Sequence, residues 1–146
     1  TWSVVCNTSP TSEVYALSLN DALPILPAYF MDGIEDALKI CLEAADSMVD
    51  EQAENGSWDG ENMDHTMDAC RNLILVADTF NQKEKYSSTI AKGVRWLMDE
   101  KNELGWGDFK EEPSNVERTA DGLDTLLKYR RFCSNQPMSH FWAYSK

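Results

Sequence analysis

Basic residues are scarce in this chain. Its 146 residues include 13 Lys and Arg against 25 Asp and Glu, for a formal charge of −12. That balance argues against nucleic acid as a partner, because a polyanion selects basic faces. The acids are spread along helical segments rather than blocked into a tail, so they read as a solvated surface. Long apolar runs are missing too, and no transmembrane segment is expected. There is no starting Met and no charged-then-apolar leader, so the expected location is cytoplasmic. The four cysteines (Cys6, Cys41, Cys70 and Cys133) form no CxxC pair. They read as buried thiols in a reducing compartment rather than as a disulfide frame. No Gly-rich phosphate loop and no Ser/His/Asp signature occurs. What the chain does have is bulk for a core: five Trp, five Tyr and five Phe.

A helix end followed by a Gly–Trp turn occurs twice. The first copy is Asp50-Glu51-Gln52-Ala53-Glu54-Asn55-Gly56-Ser57-Trp58, and the second is Asp99-Glu100-Lys101-Asn102-Glu103-Leu104-Gly105-Trp106. The two Trp residues lie 48 positions apart, and an amphipathic stretch follows each. Self-similarity at such a period predicts a helical repeat array.

The first 25 residues stand apart. Tyr15-Ala16-Leu17-Ser18-Leu19-Asn20-Asp21-Ala22-Leu23-Pro24-Ile25 resembles the translated sequence of a common sequencing-library adapter, departing from it only at Ala16 and Asn20. Thr1 to Val14 is polar and Ser/Thr-rich, without a sustained period. Residues 1–25 therefore read as an artefactual or unstructured segment, outside the functional argument.

From Met31 onward the apolar period is helical. The stripes are Ile34, Leu38, Cys41, Ala45, Met48 and Val49; then Met63, Met67, Cys70, Ile74 and Ala77; then Tyr86, Ile90, Val94 and Leu97; then Val116, Ala120, Leu123 and Leu127. Steps of three and four place each set on one helical face, to be buried. Helices are expected near residues 34–54, 64–80, 87–103 and 115–131, in two antiparallel hairpins. Gly56 and Gly105 are placed to stop helices with a positive φ. Ser114-Asn115-Val116-Glu117 has the capping-box pattern, and Asn62 or Asp64 is a candidate cap for the second helix. Asn81 to Lys85 reads as a polar link. The organisation predicted is all-α: helical hairpin repeats over residues 26–132, then a C-terminal tail over 133–146 containing His140 without an apparent partner.

Lys92-Gly93, Trp96-Leu97, Lys101, Gly105 and Trp106 resemble the QW motif of terpene cyclases, and Gln52, Gly56 and Trp58 carry its full Gln-x-x-x-Gly-x-Trp. Thr66-Met67-Asp68-Ala69 and Thr119-Ala120-Asp121-Gly122-Leu123 are similar to the helix start that follows each such turn. Over about residues 31–131 the chain resembles the prenyltransferase and squalene-oxidase repeats of squalene–hopene cyclases, oxidosqualene cyclases and protein prenyltransferase β subunits. The resemblance implies a partial α/α toroid of outer and inner helices. It also implies a cavity for an apolar isoprenoid-type substrate, and Asp64, His65, Asp68, Glu117, Thr119 and Asp121 near the cavity mouth. The second copy departs from the motif, with Lys101 in place of Gln and one residue fewer before Trp106. Two hairpins are a fraction of a toroid, so the remaining repeats of a larger protein are the expected partners. Two alternatives are a non-catalytic α/α scaffold binding a partner or ligand, and a toroid enzyme acting on acidic sugars.

The chemistry such a family needs is thin here. The Asp-x-Asp-Asp acid motif is absent. Glu117-Arg118-Thr119-Ala120-Asp121 matches the oxidosqualene-cyclase Asp-Cys-Thr-Ala-Glu only at Thr119 and Ala120, and an adjacent Arg118 would lower a carboxyl pKa, the wrong direction for an acid catalyst. Glu117 reads instead as a carboxylate favoured by a helix N-terminus. Asp68-Ala69-Cys70, with His65 nearby, resembles the zinc pair of protein prenyltransferases. Positions 68 and 70 fall on different helical faces, however, and Cys70 lies on the apolar stripe. No metal or other cofactor is assigned. Trp58, Trp96 and Trp106 could face a carbocation, but core packing at the turns explains them more simply.

Overall fold

Among the described residues the apolar periods produce four helices. The computed structural model describes residues 35–134, with side chains from residue 38. The assignments made above for residues 1–25, for Ile34 and for His140 lie outside the described residues. Helix α1 spans Glu35–Glu51, α2 Met63–Thr79, α3 Lys83–Asp99 and α4 Val116–Cys133. Among the described residues there is no strand, only the isolated bridges Asn62–Phe109 and Asn102–Gly105. The class is all-α.

Contacts set the directions. Lys83 pairs with Asp78 while Gly93 backs onto Cys70, so α3 runs antiparallel to α2. Asp64 meets Arg118 and Arg71 meets Asp121, so α4 runs beside α2 in the same direction. Lys85 meets Asp46 and Gln52 meets Thr89, so α1 and α3 share the opposite direction. Helix α2 is central, with α1, α3 and α4 all packed on it. Its stripe of Met63, Met67, Cys70, Ile74 and Ala77 is fully covered.

The element ends differ from expectation in instructive ways. Helix α3 begins at Lys83 because the lysines read as a link are held in place: Lys83 by Asp78, Lys85 by Asp46. It stops at Asp99, where the Glu100 N–H closes on the Trp96 carbonyl. Helix α1 stops at Glu51, so Gln52 belongs to the turn. The cap of α4 is Asn115, not Ser114: its side chain accepts from the Arg118 N–H at 2.8 Å. Glu117 is then one position too early to close a capping box. Asn62 caps α2 in the same way, accepting from the His65 N–H at 3.1 Å.

One stripe is not buried. Val116, Ala120, Leu123 and Leu127 on α4 are exposed. Helix α4 packs through Gly122, Thr125 and Phe132 instead. The stripe is real as a pattern, but no described element lies over it.

Both Gly–Trp turns are built alike. The Trp58 indole N–H donates to the Met48 carbonyl at 2.8 Å, and the Trp106 indole N–H donates to the Leu97 carbonyl at 2.7 Å. Each acceptor lies in the last turn of the preceding helix, where intrahelical donors run out. Each Trp backbone N–H then donates to a threonine hydroxyl of the following helix: Trp58 to Thr66 at 3.1 Å, Trp106 to Thr119 at 3.2 Å. The indole thus fills the core and satisfies an orphan carbonyl at once. Gly56 has φ +103°, and a Cβ there would stand 2.5 Å from the Lys92 carbonyl oxygen. Gln52 donates both to the Gly56 carbonyl and to the Thr89 carbonyl, at 3.0 Å each. Lys101 makes no such tie. In the second turn the Asn102 side chain accepts from the Leu104 and Gly105 N–H groups.

Candidate functional site

The N-terminal halves of α2 and α4 lie side by side, and their facing edges carry charge. Arg118 sits at the centre. Its Nη1 donates to Asp64 Oδ1 at 2.7 Å and to Asp121 Oδ2 at 2.9 Å, and its Nε donates to Asp108 Oδ1 at 2.7 Å. Its Nη2 lies 3.5 Å from Glu117 Oε1. Arg71, one face further along α2, donates to Asp121 Oδ1 at 2.9 Å, to Asp68, and reaches Asp124 at 3.6 Å. Asp121 therefore bridges both guanidiniums, one carboxylate oxygen to each.

The guanidiniums are the covered part of this network. Their side chains are 14% exposed for Arg118 and 19% for Arg71, while Asp68, Asp108 and Asp124 are more open. What the network presents outward is carboxylate. Burial pulls the Arg71 pKa down, but the hydrogen bonds it donates to Asp121 and Asp68, with their charges, outweigh it and raise it above the ordinary arginine value. Arg118 is raised likewise: burial opposes, and the Asp108 hydrogen bond with the charges of Asp64, Glu117 and Asp108 prevails. Asp64 is held above the ordinary aspartate range by burial first and then by the Asp68 carboxylate, with Arg118 pulling the other way.

The structure brings four of the six expected residues together: Asp64, Asp68, Glu117 and Asp121. It separates the other two. His65 turns away, its Nδ1 at 2.6 Å from Asp59 Oδ2. Thr119 accepts the Trp106 N–H and lines an open groove on the other side of α4 with Leu104, Asn115, Val116, Ala120 and Leu123. The structural-motif residues Gly56, Trp58, Trp96, Gly105 and Trp106 are buried, and Gln52 is half-buried. The three tryptophans belong to the core rather than to an open cavity.

Sequence reasoning missed Arg71, Asp108 and Asp124, and treated Arg118 only as a neighbour of Glu117. A signal was available in the spacing. Asp68 and Arg71, like Arg118 and Asp121, stand three apart, which places each pair on one helical face.

The zinc-like arrangement does not assemble. Cys70 is fully buried, and burial pushes its thiol up to about 12, away from the thiolate a metal needs. Asp68 is committed to Arg71 and His65 to Asp59. Among the described residues no group of three His, Cys, Asp or Glu side chains is arranged to hold a metal ion. No helix among them is long and apolar enough to cross a membrane.

No family model, no curated protein and no solved structure matches the chain at a significant level.

Proposed function

We propose that this chain is a segment of an α/α repeat protein of the QW type, and that the charged edge of α2 and α4 forms part of a cavity wall for an isoprenoid-type substrate. The observation that carries the reading is the turn built twice: indole to helix-end carbonyl, then backbone N–H to threonine hydroxyl. The QW resemblance supplies the substrate class, and the charge of the wall narrows it. Asp64, Asp68, Asp108, Asp121 and Asp124 outnumber Arg71 and Arg118. A net-negative wall stabilises positive charge developing on a hydrocarbon and repels a diphosphate or an acidic sugar. The substrate proposed is an isoprenoid without a diphosphate group.

A specific observation favours a second reading, the non-catalytic scaffold. Asp64, Asp68 and Asp121 are all paired with arginine, so none is assigned as a proton donor. In this reading the same face binds a cationic or neutral partner.

The test is made on the longer protein that contains this segment, recovered from its gene. Turnover of a hydrocarbon isoprenoid should fall more with Asp121→Asn than with Asp99→Asn, which lies at the exposed end of α3. Equal effects of the two substitutions, or zinc-independent cleavage of an acidic sugar polymer, would overturn the isoprenoid reading. Saturable binding without turnover would select the scaffold.

A further inference from the structure

The first Gly–Trp turn holds two neighbours that can react with each other. Asn55 is followed by Gly56, and no other asparagine in the sequence precedes a glycine. Joining the Gly56 backbone nitrogen to Asn55 Cγ closes a small imide ring. Such an attack within one chain is favoured by proximity, and glycine has no Cβ to hinder it. The second turn offers no such pair, because Asn102 is followed by Glu103.

The folded turn blocks this reaction. The Gly56 N–H donates to the Ala53 carbonyl at 3.0 Å, and the Ala53 N–H donates to the Ser57 carbonyl at 2.9 Å, so the attacking nitrogen is fixed. Gly56 is buried, and its own carbonyl accepts from Gln52 at 3.0 Å. The Asn55 amide is held at both ends. Its Oδ1 accepts from the Ser57 N–H at 3.0 Å and from the Ser57 hydroxyl at 2.7 Å, and its Nδ2 donates to Glu61 Oε1 at 2.7 Å. Attack requires the amide to turn and the nitrogen to leave Ala53, which breaks these bonds together. Asn55 itself is exposed, so water reaches it as soon as the turn opens.

We propose that Asn55 is a self-modification site, closed in the folded turn and unmasked whenever that turn opens. The Gly56 nitrogen gives up its proton and bonds to Asn55 Cγ; the Cγ–Nδ2 bond breaks, and ammonia leaves with that proton. Water then opens the imide. Cleavage of the new N–Cγ bond leaves aspartate at position 55, and cleavage at the main-chain carbonyl leaves isoaspartate. Either product disfavours reclosure. Aspartate removes the Nδ2 donor and sets a second carboxylate against Glu61, where like charges repel. Isoaspartate lengthens the main chain inside the loop that the Ala53 and Ser57 bonds close. The step runs one way: a turn that has opened becomes a turn that stays open, and Gln52 loses its Gly56 partner.

Peptide mapping by mass spectrometry measures the conversion in the full chain and in a free peptide of residues 50–60 at neutral pH. The peptide should convert at Asn55, and the folded chain at least about tenfold more slowly. Hydrogen exchange at the Gly56 amide reports the opening of the same nitrogen. Gln52→Ala removes two ties across the turn without touching the reacting pair, so it should speed exchange and conversion by the same factor. A series in sub-denaturing urea makes the same comparison if that variant does not fold. Asn55→Asp should speed Gly56 exchange, and Glu61→Gln added to it should reverse the effect by restoring a donor. The proposal is overturned if the folded chain converts as fast as the peptide, or if the peptide does not convert. It is equally overturned if conversion does not follow Gly56 exchange, or if Asn55→Asp leaves that exchange unchanged.

Discussion

Arg118 holds Asp64 at 2.7 Å across 54 positions of sequence, tying α4 to α2. The pair joins the N-terminal halves of α2 and α4, and Arg71 repeats the tie in the opposite sense through Asp121. Arg118→Ala should lower stability by about 2 kcal/mol, the scale of lost hydrogen bonds to charged groups. A double-mutant cycle with Asp64→Asn should return a coupling of about 1 kcal/mol. Denaturant unfolding of the four proteins measures both, and additivity of the two substitutions would show that the contact carries no net energy.

Gly122 is pressed against the second turn's tryptophan: a Cβ there would lie 2.5 Å from Trp106 Cε3. Alanine normally gains about 1 kcal/mol over glycine inside a helix. Here the overpacking term, about 1–3 kcal/mol, should win, and Gly122→Ala should lower the melting temperature. A rise would mean that α4 shifts freely off the ring.

Thr66 and Thr119 receive the same backbone donor, but Thr66 is fully buried and Thr119 is half-buried. Thr66→Val leaves the Trp58 N–H without an acceptor and should cost about 1–3 kcal/mol. Thr119→Val should cost less, because water can reach the Trp106 N–H. Equal losses in thermal unfolding would contradict the burial difference.

Acid sensitivity should map to Asp46. Burial opposes its ionisation, but hydrogen bonds from Lys85 and Tyr86, with the Lys85 charge, hold its pKa below the ordinary 3.8. A depressed folded-state pKa contributes stability above 3.8, and that contribution fades as pH falls through the folded value. Asp64, raised, works the other way and favours the fold at low pH. Asp46→Asn should therefore flatten the loss of stability below about pH 4. An unchanged acid limb would show that the Lys85 and Tyr86 contacts contribute nothing.

The helices were legible because their signals are local. Steps of three and four give the stripes on α1, α2 and α3, and Asn62 and Gly56 behave as their residue types require. The fate of the fourth stripe was not legible, because periodicity reports which residues prefer burial and not whether a neighbour exists to cover them. Lys83 to Lys85 were misread as a link since their helical place depends on Asp78 and Asp46, which are close only after folding. The charged edge followed the same rule. Asp64, Asp68, Glu117 and Asp121 were singled out individually, but their convergence on Arg71 and Arg118 depends on α2 and α4 lying in parallel.

One turn is built twice, each time by an indole closing the end of the preceding helix. Nuclear magnetic resonance of the indole N–H groups tests it most directly, with Trp58→Phe and Trp106→Phe identifying the two signals. Both should be strongly protected from solvent exchange and show through-hydrogen-bond coupling to the carbonyl carbons of Met48 and Leu97, respectively. Rapid exchange at either indole, or coupling to any other carbonyl, would contradict the repeat.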